Sequence, residues 1–255
     1  MWRHIAQSLQ GPSHLDGNIP CQDTHAVQLF GAGEHRTLIA CVADGAGSAK
    51  HSEIGSSIAC QTVLEHATKF LESNNLADMQ MEDALIWCDE IRKRIAIQAE
   101  DRGCTTREFA TTLLTAILSP ERSVFFQIGD GAIILGNDVL YGIVFWPQEG
   151  EYANSTNFLT GDQYHKQIEF ITTTANHYTK IALLTDGLER LALRFDTQIP
   201  HIPFFDPLFR ALQNTSDVGG LNEGLRSFLG SDSIHHRTDD DKTLILATRC
   251  ADGAA

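Results

Sequence analysis

The strongest hydrophobic run is Thr37–Ala43, TLIACVA, apolar at both odd and even positions. A strand needs apolar residues on both faces only when it is covered on both, so this one is expected between two layers. A glycine-rich turn, Asp44-Gly45-Ala46-Gly47-Ser48, follows it. The period then changes to three and four. Val63, Ala67, Phe70 and Leu71 mark the inner stripe of a helix over about 53–71, and Ala84, Cys88, Ile91, Ile95 and Ala99 that of a helix over about 82–102. Strands are predicted next at 111–118, 124–128, 132–135 and 139–141, with Asn137-Asp138 as a hairpin tip between the last two. The polar stretch 142–165 has no period and reads as a flap, a kind of long loop that is often functional. Strands at 168–173, 181–184 and 243–248, and helices at 207–212 and 221–229, complete the pattern. Strands cluster apart from a long helical pair, which predicts an α+β fold rather than strict α/β alternation.

Composition narrows the function classes. The 255 residues are 42% hydrophobic and 20% charged, ordinary for one globular domain spanning 1–255. Thirty-three acidic side chains against 19 basic ones give a net charge of −14, which argues against a nucleic-acid partner. No run of about 18 apolar residues is present, so no membrane span or membrane partner is expected. The six cysteines, Cys21, Cys41, Cys60, Cys88, Cys104 and Cys250, form no CxxC pair, so a structural zinc site is not expected. Cys41 and Cys60 read as small core residues, and reduced thiols in the cytoplasm are the expectation.

The candidate chemistry lies in the aspartates. Five Asp-Gly pairs begin at Asp16, Asp44, Asp130, Asp186 and Asp252, and any one alone reads as a turn. Three of them, in LIACVADG, FFQIGDG and IALLTDG, terminate apolar strands, and Asp239-Asp240-Asp241 directly precedes the strand TLILA. Carboxylates gathered at strand ends repel one another and take up protons unless divalent cations lie between them, and Mg²⁺ or Mn²⁺ favours such oxygen ligands. Gly45, without a Cβ, lets its carbonyl approach an ion closely. Competing motifs fail: DGAGSAK has neither G-x-G-x-x-G nor a Gly-Lys-Ser/Thr ending, and neither H-E-x-x-H nor G-x-S-x-G occurs. Of the histidines beside the acidic motifs, His14 and His51 are the better candidates for touching phosphate.

The order of these motifs resembles the metal-dependent Ser/Thr protein phosphatases of type 2C, in a divergent bacterial branch. Cys21-Gln22-Asp23 resembles the family's opening acidic motif, and Val42-Ala43-Asp44-Gly45-Ala46-Gly47 its V-A-D-G-x-G motif. Ala110-Thr111-Thr112-Leu113 resembles G-T-T-x, and Ile128-Gly129-Asp130-Gly131-Ala132 resembles V-G-D-S-R. Leu184-Thr185-Asp186-Gly187-Leu188 resembles S-D-G-L, and Asp240-Asp241-Lys242-Thr243 the closing D-N-x-T.

The resemblance implies a four-layer α-β-β-α sandwich, with a central antiparallel β-sandwich flanked by helix pairs and two Mn²⁺ or Mg²⁺ ions at one end. It implies that Asp44 bridges the ions, that the Gly45 carbonyl holds one, and that Asp186 and Asp240 hold the other. Asp23 would orient the attacking water, and Asp130 with Asp186 would take a weaker third ion. The implied activity is hydrolysis of phosphoserine and phosphothreonine in proteins by a metal-activated water, in a monomer with a Ser/Thr kinase as counterpart. The chain departs from the pattern in three places. Gln22 stands where the family often has Glu. No arginine shortly precedes Asp23, where many members bind phosphate, and Asn18 lies near that spot. Arg190 stands where some members have a third-ion Asp. His14 and Lys50 are the candidate phosphate-binding substitutes, with Arg3 a further one. Two other readings are compatible with the residues: an inactive phosphatase fold serving as a regulatory binding module, and a metal-dependent phosphoesterase for a small molecule.

Overall fold

The computed structural model describes residues 1–33, 36–148, 156–174 and 178–249. In chain order the strands are β1 (Trp2–Leu9), β2 (Thr24–Phe30), β3 (Thr37–Ala43), β4 (Leu113–Leu118), β5 (Arg122–Ile128), β6 (Ala132–Gly136), β7 (Tyr141–Ile143), β8 (Glu169–Thr174), β9 (Lys180–Leu184), β10 (Leu193–Arg194), β11 (Ile199–Pro200) and β12 (Lys242–Arg249). The helices are α1 (Pro12–Gly17), α2 (Ser52–Ser73), α3 (Met81–Asp101), α4 (Tyr164–Gln167), α5 (Glu189–Ala192), α6 (Ile202–Asn214), α7 (Val218–Leu229) and α8 (Asp232–His235).

Two five-stranded antiparallel sheets form, in the orders β1-β12-β9-β6-β7 and β2-β3-β4-β5-β8. The double-sided hydrophobicity of β3 explains their packing. Leu38, Ala40 and Val42, with Leu114 and Phe125 of the same sheet, face the second sheet, where they meet Ile133, Leu183 and Ile245. Ile39, Cys41 and Ala43 face outward onto α2 and α3, in a cluster with Val63, Trp87, Ile91 and Ile95. β9 and β12 repeat this on the other side, where Ala182, Leu184, Leu244 and Leu246 pack under Phe205, Phe209 and Leu225 of α6 and α7. Four layers, α-β-β-α, follow from strands that are apolar on both faces. Cys41 and Cys60 are fully buried, as expected.

Several boundaries move, each for a local reason. β4 begins at Leu113, because Thr111 and Thr112 bind the Asp44 turn through their hydroxyl and amide groups. The hairpin after β6 is longer than expected: Asn137 Oδ1 accepts from the amides of Val139 and Leu140, so β7 starts only at Tyr141. The predicted flap 142–165 is not an open loop throughout. β7 enters its start, α4 its end, and residues 149–155 lie outside the described residues. The predicted helix 207–212 extends to Ile202–Asn214 with Pro207 inside it.

Two strands escape the pattern. β1 pairs with β12 over eight residues, from Trp2↔Arg249 to Leu9↔Lys242, yet only Trp2 and Ile5 in it are buried. β2 is half-buried throughout. Both are edge strands, so neither shows the periodicity of a covered one.

Candidate metal centre

The strands deliver their carboxylates to one end of the sandwich. Asp44 leaves β3, Asp186 leaves β9, Asp130 sits in the β5–β6 turn, Asp23 precedes β2, and Asp240 precedes β12 by two residues. Tight local chemistry fixes each turn. The Asp44 amide donates to Thr112 Oγ1 (3.0 Å), while its carbonyl accepts from Thr111 Oγ1 (3.0 Å) and the Thr112 amide (2.8 Å). Gly45 is a close-approach glycine, because a Cβ there would lie 2.8 Å from both the Gln22 carbonyl oxygen and Ser52. Gly129 (φ 101°) and Gly131 (φ 93°) flank Asp130 in the left-handed region that favours glycine.

One carboxylate oxygen from each of Asp44, Asp130 and Asp186 lies within 4.8 Å of the others, and all three residues are half-buried. Burial is the largest cause of their raised proton affinity, and mutual repulsion adds to it. Asp44 is raised well above the usual carboxylate range by burial and then by Asp23, Asp186 and Asp130. Asp186 is pushed up to about 7 by burial, Asp130 and Asp240. Asp130 is raised by burial against the lowering effect of Thr156, whose hydroxyl donates to Oδ2 at 2.7 Å, while its Oδ1 is buried without a partner. This donor set fits a hard divalent cation: oxygen ligands only, crowded together, with a buried oxygen left unbonded.

Behind the trio, Asp23 is buried and pushed up to about 8, first by burial and then by Asp186 and Asp241, with Thr185 opposing. Its Oδ2 accepts from Thr185 Oγ1 at 2.7 Å, and its Oδ1 is buried without a partner. Asp240 is exposed and lines one cleft of about 450 Å³ with Asp130 and Asp186. The trio thus brings in Asp130, expected at a peripheral ion, while Asp240, expected in the core pair, stands at the cleft wall.

The structure separates the neighbours of Asp240 by role. Asp241 is buried and accepts from the amides of Gly11 (2.7 Å) and Gln22 (2.6 Å), with His14 Nδ1 at 2.9 Å. It clamps α1 and the Gln22-Asp23 segment to the start of β12. His14 is therefore buried against Asp241 rather than presented on the surface, and Lys50 is exposed, its backbone amide on Glu108 Oε2 (3.2 Å). Arg3 donates to the carbonyls of Gln213 (3.3 Å) and Thr215 (2.9 Å) at the end of α6.

Sequence reasoning missed Asp241 as a clamp, because three consecutive aspartates look alike without the amides they face. It also missed Glu189, which accepts from the Gly131 amide at 2.7 Å and is pushed up to about 7 by burial, Asp186 and Asp130. Only its position three residues after Asp186 hinted at it.

A family model described as Protein phosphatase 2C matches residues 10–230. The chain belongs to the protein phosphatase 2C family. A 2C relative in Escherichia coli (strain K12), serine/threonine-protein phosphatase 3, is 35% identical over 96% of this chain and 98% of its own length. The fold of this 2C chain is also similar to a solved bacterial serine phosphatase, with a TM-score of 0.64, 16% identity and coverage of 99% and 100% of the two chains. The catalytic domain of the serine/threonine phosphatase PstP, solved with two manganese ions, gives a TM-score of 0.60 at 18% identity, with coverage of 98% and 99%.

Proposed function

We propose that Asp44, Asp186 and Asp240, with the Gly45 carbonyl, hold two Mn²⁺ or Mg²⁺ ions, and that Asp130 with Asp186 takes a peripheral third. The chain is a metal-dependent phosphatase of phosphoserine and phosphothreonine in proteins, acting as one catalytic domain. The observation that carries this reading is the gathering of Asp44, Asp130 and Asp186 within 4.8 Å. Such a group cannot ionise fully at neutral pH without cations between its members. When bound, the ions supply Lewis-acid activation of water and neutralise charge on the phosphoryl oxygens.

The chain's own residues do the positioning. Thr185 holds one oxygen of Asp23, and the other is left to accept a hydrogen bond from the attacking water. Thr185 Oγ1 is itself fixed by accepting from the Thr243 amide at 3.0 Å. Burial raises Cys21, Cys60 and Cys88, which disfavours their thiolates as nucleophiles. A phosphoprotein substrate, a counterpart Ser/Thr kinase, a monomeric state and a cytoplasmic site of action belong to the same proposal. Among the described residues no helix is long and apolar enough to cross a membrane.

The test is turnover of para-nitrophenyl phosphate and of a phosphoserine and phosphothreonine peptide panel, in chelator and after adding Mn²⁺ or Ca²⁺. We expect activity to vanish in chelator and to return with Mn²⁺ better than with Ca²⁺, whose looser geometry activates water less. Equal turnover in chelator overturns the metal assignment. Mn²⁺ binding by calorimetry with no turnover of any phosphoester would make the fold a binding module.

A further inference from the structure

The phosphatase reading leaves one charge unassigned. The substrate carries a phosphoryl dianion into a carboxylate-lined cleft on a chain of net charge −14, and the stretch before Asp23 has no arginine to meet it. The other candidates are engaged or set apart. His14 is buried against Asp241, Arg3 holds carbonyls at the end of α6, and Lys50 lies outside the cleft lining. The 450 Å³ cleft has, however, a cationic wall. Arg190 of α5 and Arg237, in the turn between α8 and β12, line it together with Asp130, Asp186, Asp240 and the exposed ring of Phe195.

Both arginines are exposed, and among the described residues no hydrogen bond or ion pair within 4.0 Å ties either guanidinium to an acceptor. Arg190 does act electrostatically on Glu189, lowering its proton affinity slightly against the larger raising effects. Five N–H donors in a planar fork, left open beside a cation-binding carboxylate set, match the geometry of a phosphoryl group. Their backbones are fixed: the Arg237 amide donates to Ile234 O at 2.8 Å, and Arg190 lies in the helical turn that follows Asp186.

We propose that Arg190 and Arg237 form the phosphoryl anchor of this chain, binding the substrate dianion in the cleft that they line together with the metal-holding carboxylates. The proposal rests on the phosphatase reading. It places the anchor between the Asp186 and Asp240 motifs, instead of ahead of the opening motif at Asp23.

The experiment uses the full chain loaded with Mg²⁺ and inorganic phosphate as the probe. Calorimetry gives the phosphate and Mg²⁺ affinities of the wild type, Arg190→Ala, Arg237→Ala, the double variant and both Lys replacements, with a thermal melt of each. Each Ala change should weaken phosphate binding about tenfold and the double change about a hundredfold, as expected for lost charge-assisted hydrogen bonds. Mg²⁺ affinity should hold or tighten, since a nearby positive charge is removed. Lys should restore part of the loss, because it keeps the charge without the fork. With para-nitrophenyl phosphate, KM should rise more than kcat falls. Wild-type phosphate affinity in the folded double variant overturns the proposal. So does a loss that tracks lost Mg²⁺ binding, which would assign the arginines to the integrity of the metal centre. If the double variant does not fold, the single and Lys variants decide by the same criteria. Failure of the phosphatase reading looks different: a wild-type chain that binds Mg²⁺ and phosphate without turning over any phosphoester.

Discussion

Asp44 is constrained from three directions at once. Thr111 and Thr112 hold its backbone, Gly45 allows the chain to turn against Gln22 and Ser52, and three carboxylates press on its side chain. Asp44→Asn keeps the size and the turn while removing the charge. Turnover should fall on the order of 10³-fold or more, through lost electrostatic stabilisation of the transition state. The same change removes a carboxyl whose ionisation burial and repulsion from Asp23, Asp186 and Asp130 oppose in the folded chain, so the metal-free protein should melt at a higher temperature than the wild type at pH 8. Kinetics together with a melting curve in chelator check both halves. Near-normal turnover would refute the role of Asp44 in holding cations, and a lower melting temperature would refute the repulsion. The neighbouring triplet shows why residue type alone does not settle a role. Asp241 accepts two amides and is a clamp, whereas Asp240, one position earlier, faces the cleft.

Between elements, the telling contact joins α3 to the flap. Arg92 donates to the carbonyls of Leu159 (2.6 Å) and Gly161 (2.9 Å), and its guanidinium lies 4.5 Å from the centre of the Tyr164 ring. Tyr164 in turn donates to Asp89 of the same helix. This fixes the segment that walls a second cleft, of about 790 Å³, between Ser48, Arg107 and Glu108 on one side and Asn157, Phe158 and Gln163 on the other. Hydrogen bonds to a charged donor are worth about 1.5–3 kcal/mol each. Arg92→Ala should therefore loosen the flap locally without unfolding the sandwich. Amide hydrogen exchange across 157–167 should speed up, and kcat/KM should drop several-fold for a phosphopeptide while para-nitrophenyl phosphate is spared. Unchanged exchange in that segment would show that the flap is held by something else.

For the molecule as a whole, the acidic centre sets the pH dependence. Asp23 at about 8 and Asp186 at about 7 lie above the usual unfolded carboxylate value of about 3.9. The folded, metal-free chain thus retains protons that the unfolded chain releases. The stability these groups contribute is complete below about pH 4 and is lost as pH rises through 7 and 8. Divalent cations take the place of those protons and bind the folded form, so they should add most stability where the protons have gone. Melting temperature in chelator should fall from pH 5 to pH 8, and saturating Mg²⁺ should raise it more at pH 8 than at pH 5. A chelated protein whose melting temperature climbs steadily across that range would contradict the placement of these carboxylates.

What the sequence by itself determined is whatever depends on local pattern. β3, β9 and β12 were legible because a strand covered on both faces must be apolar at every position, and α2 and α3 because their buried stripes repeat every three or four residues. The Asp-Gly pairs at the ends of apolar strands marked Asp44, Asp130 and Asp186 for the same reason: a polar residue that closes a buried strand emerges at the rim of the sandwich. Only tertiary structure decided the rest. β1 is a strand because β12 offers it eight partners, and its own residues carry no period. His14 turned inward because Asp241, more than two hundred residues away, reaches it at 2.9 Å. Arg190 and Arg237 share one cleft because α5 and the turn after α8 both end beside the carboxylates. Such pairings depend on distances between chain-distant groups, and a one-dimensional pattern of polar and apolar positions does not contain them.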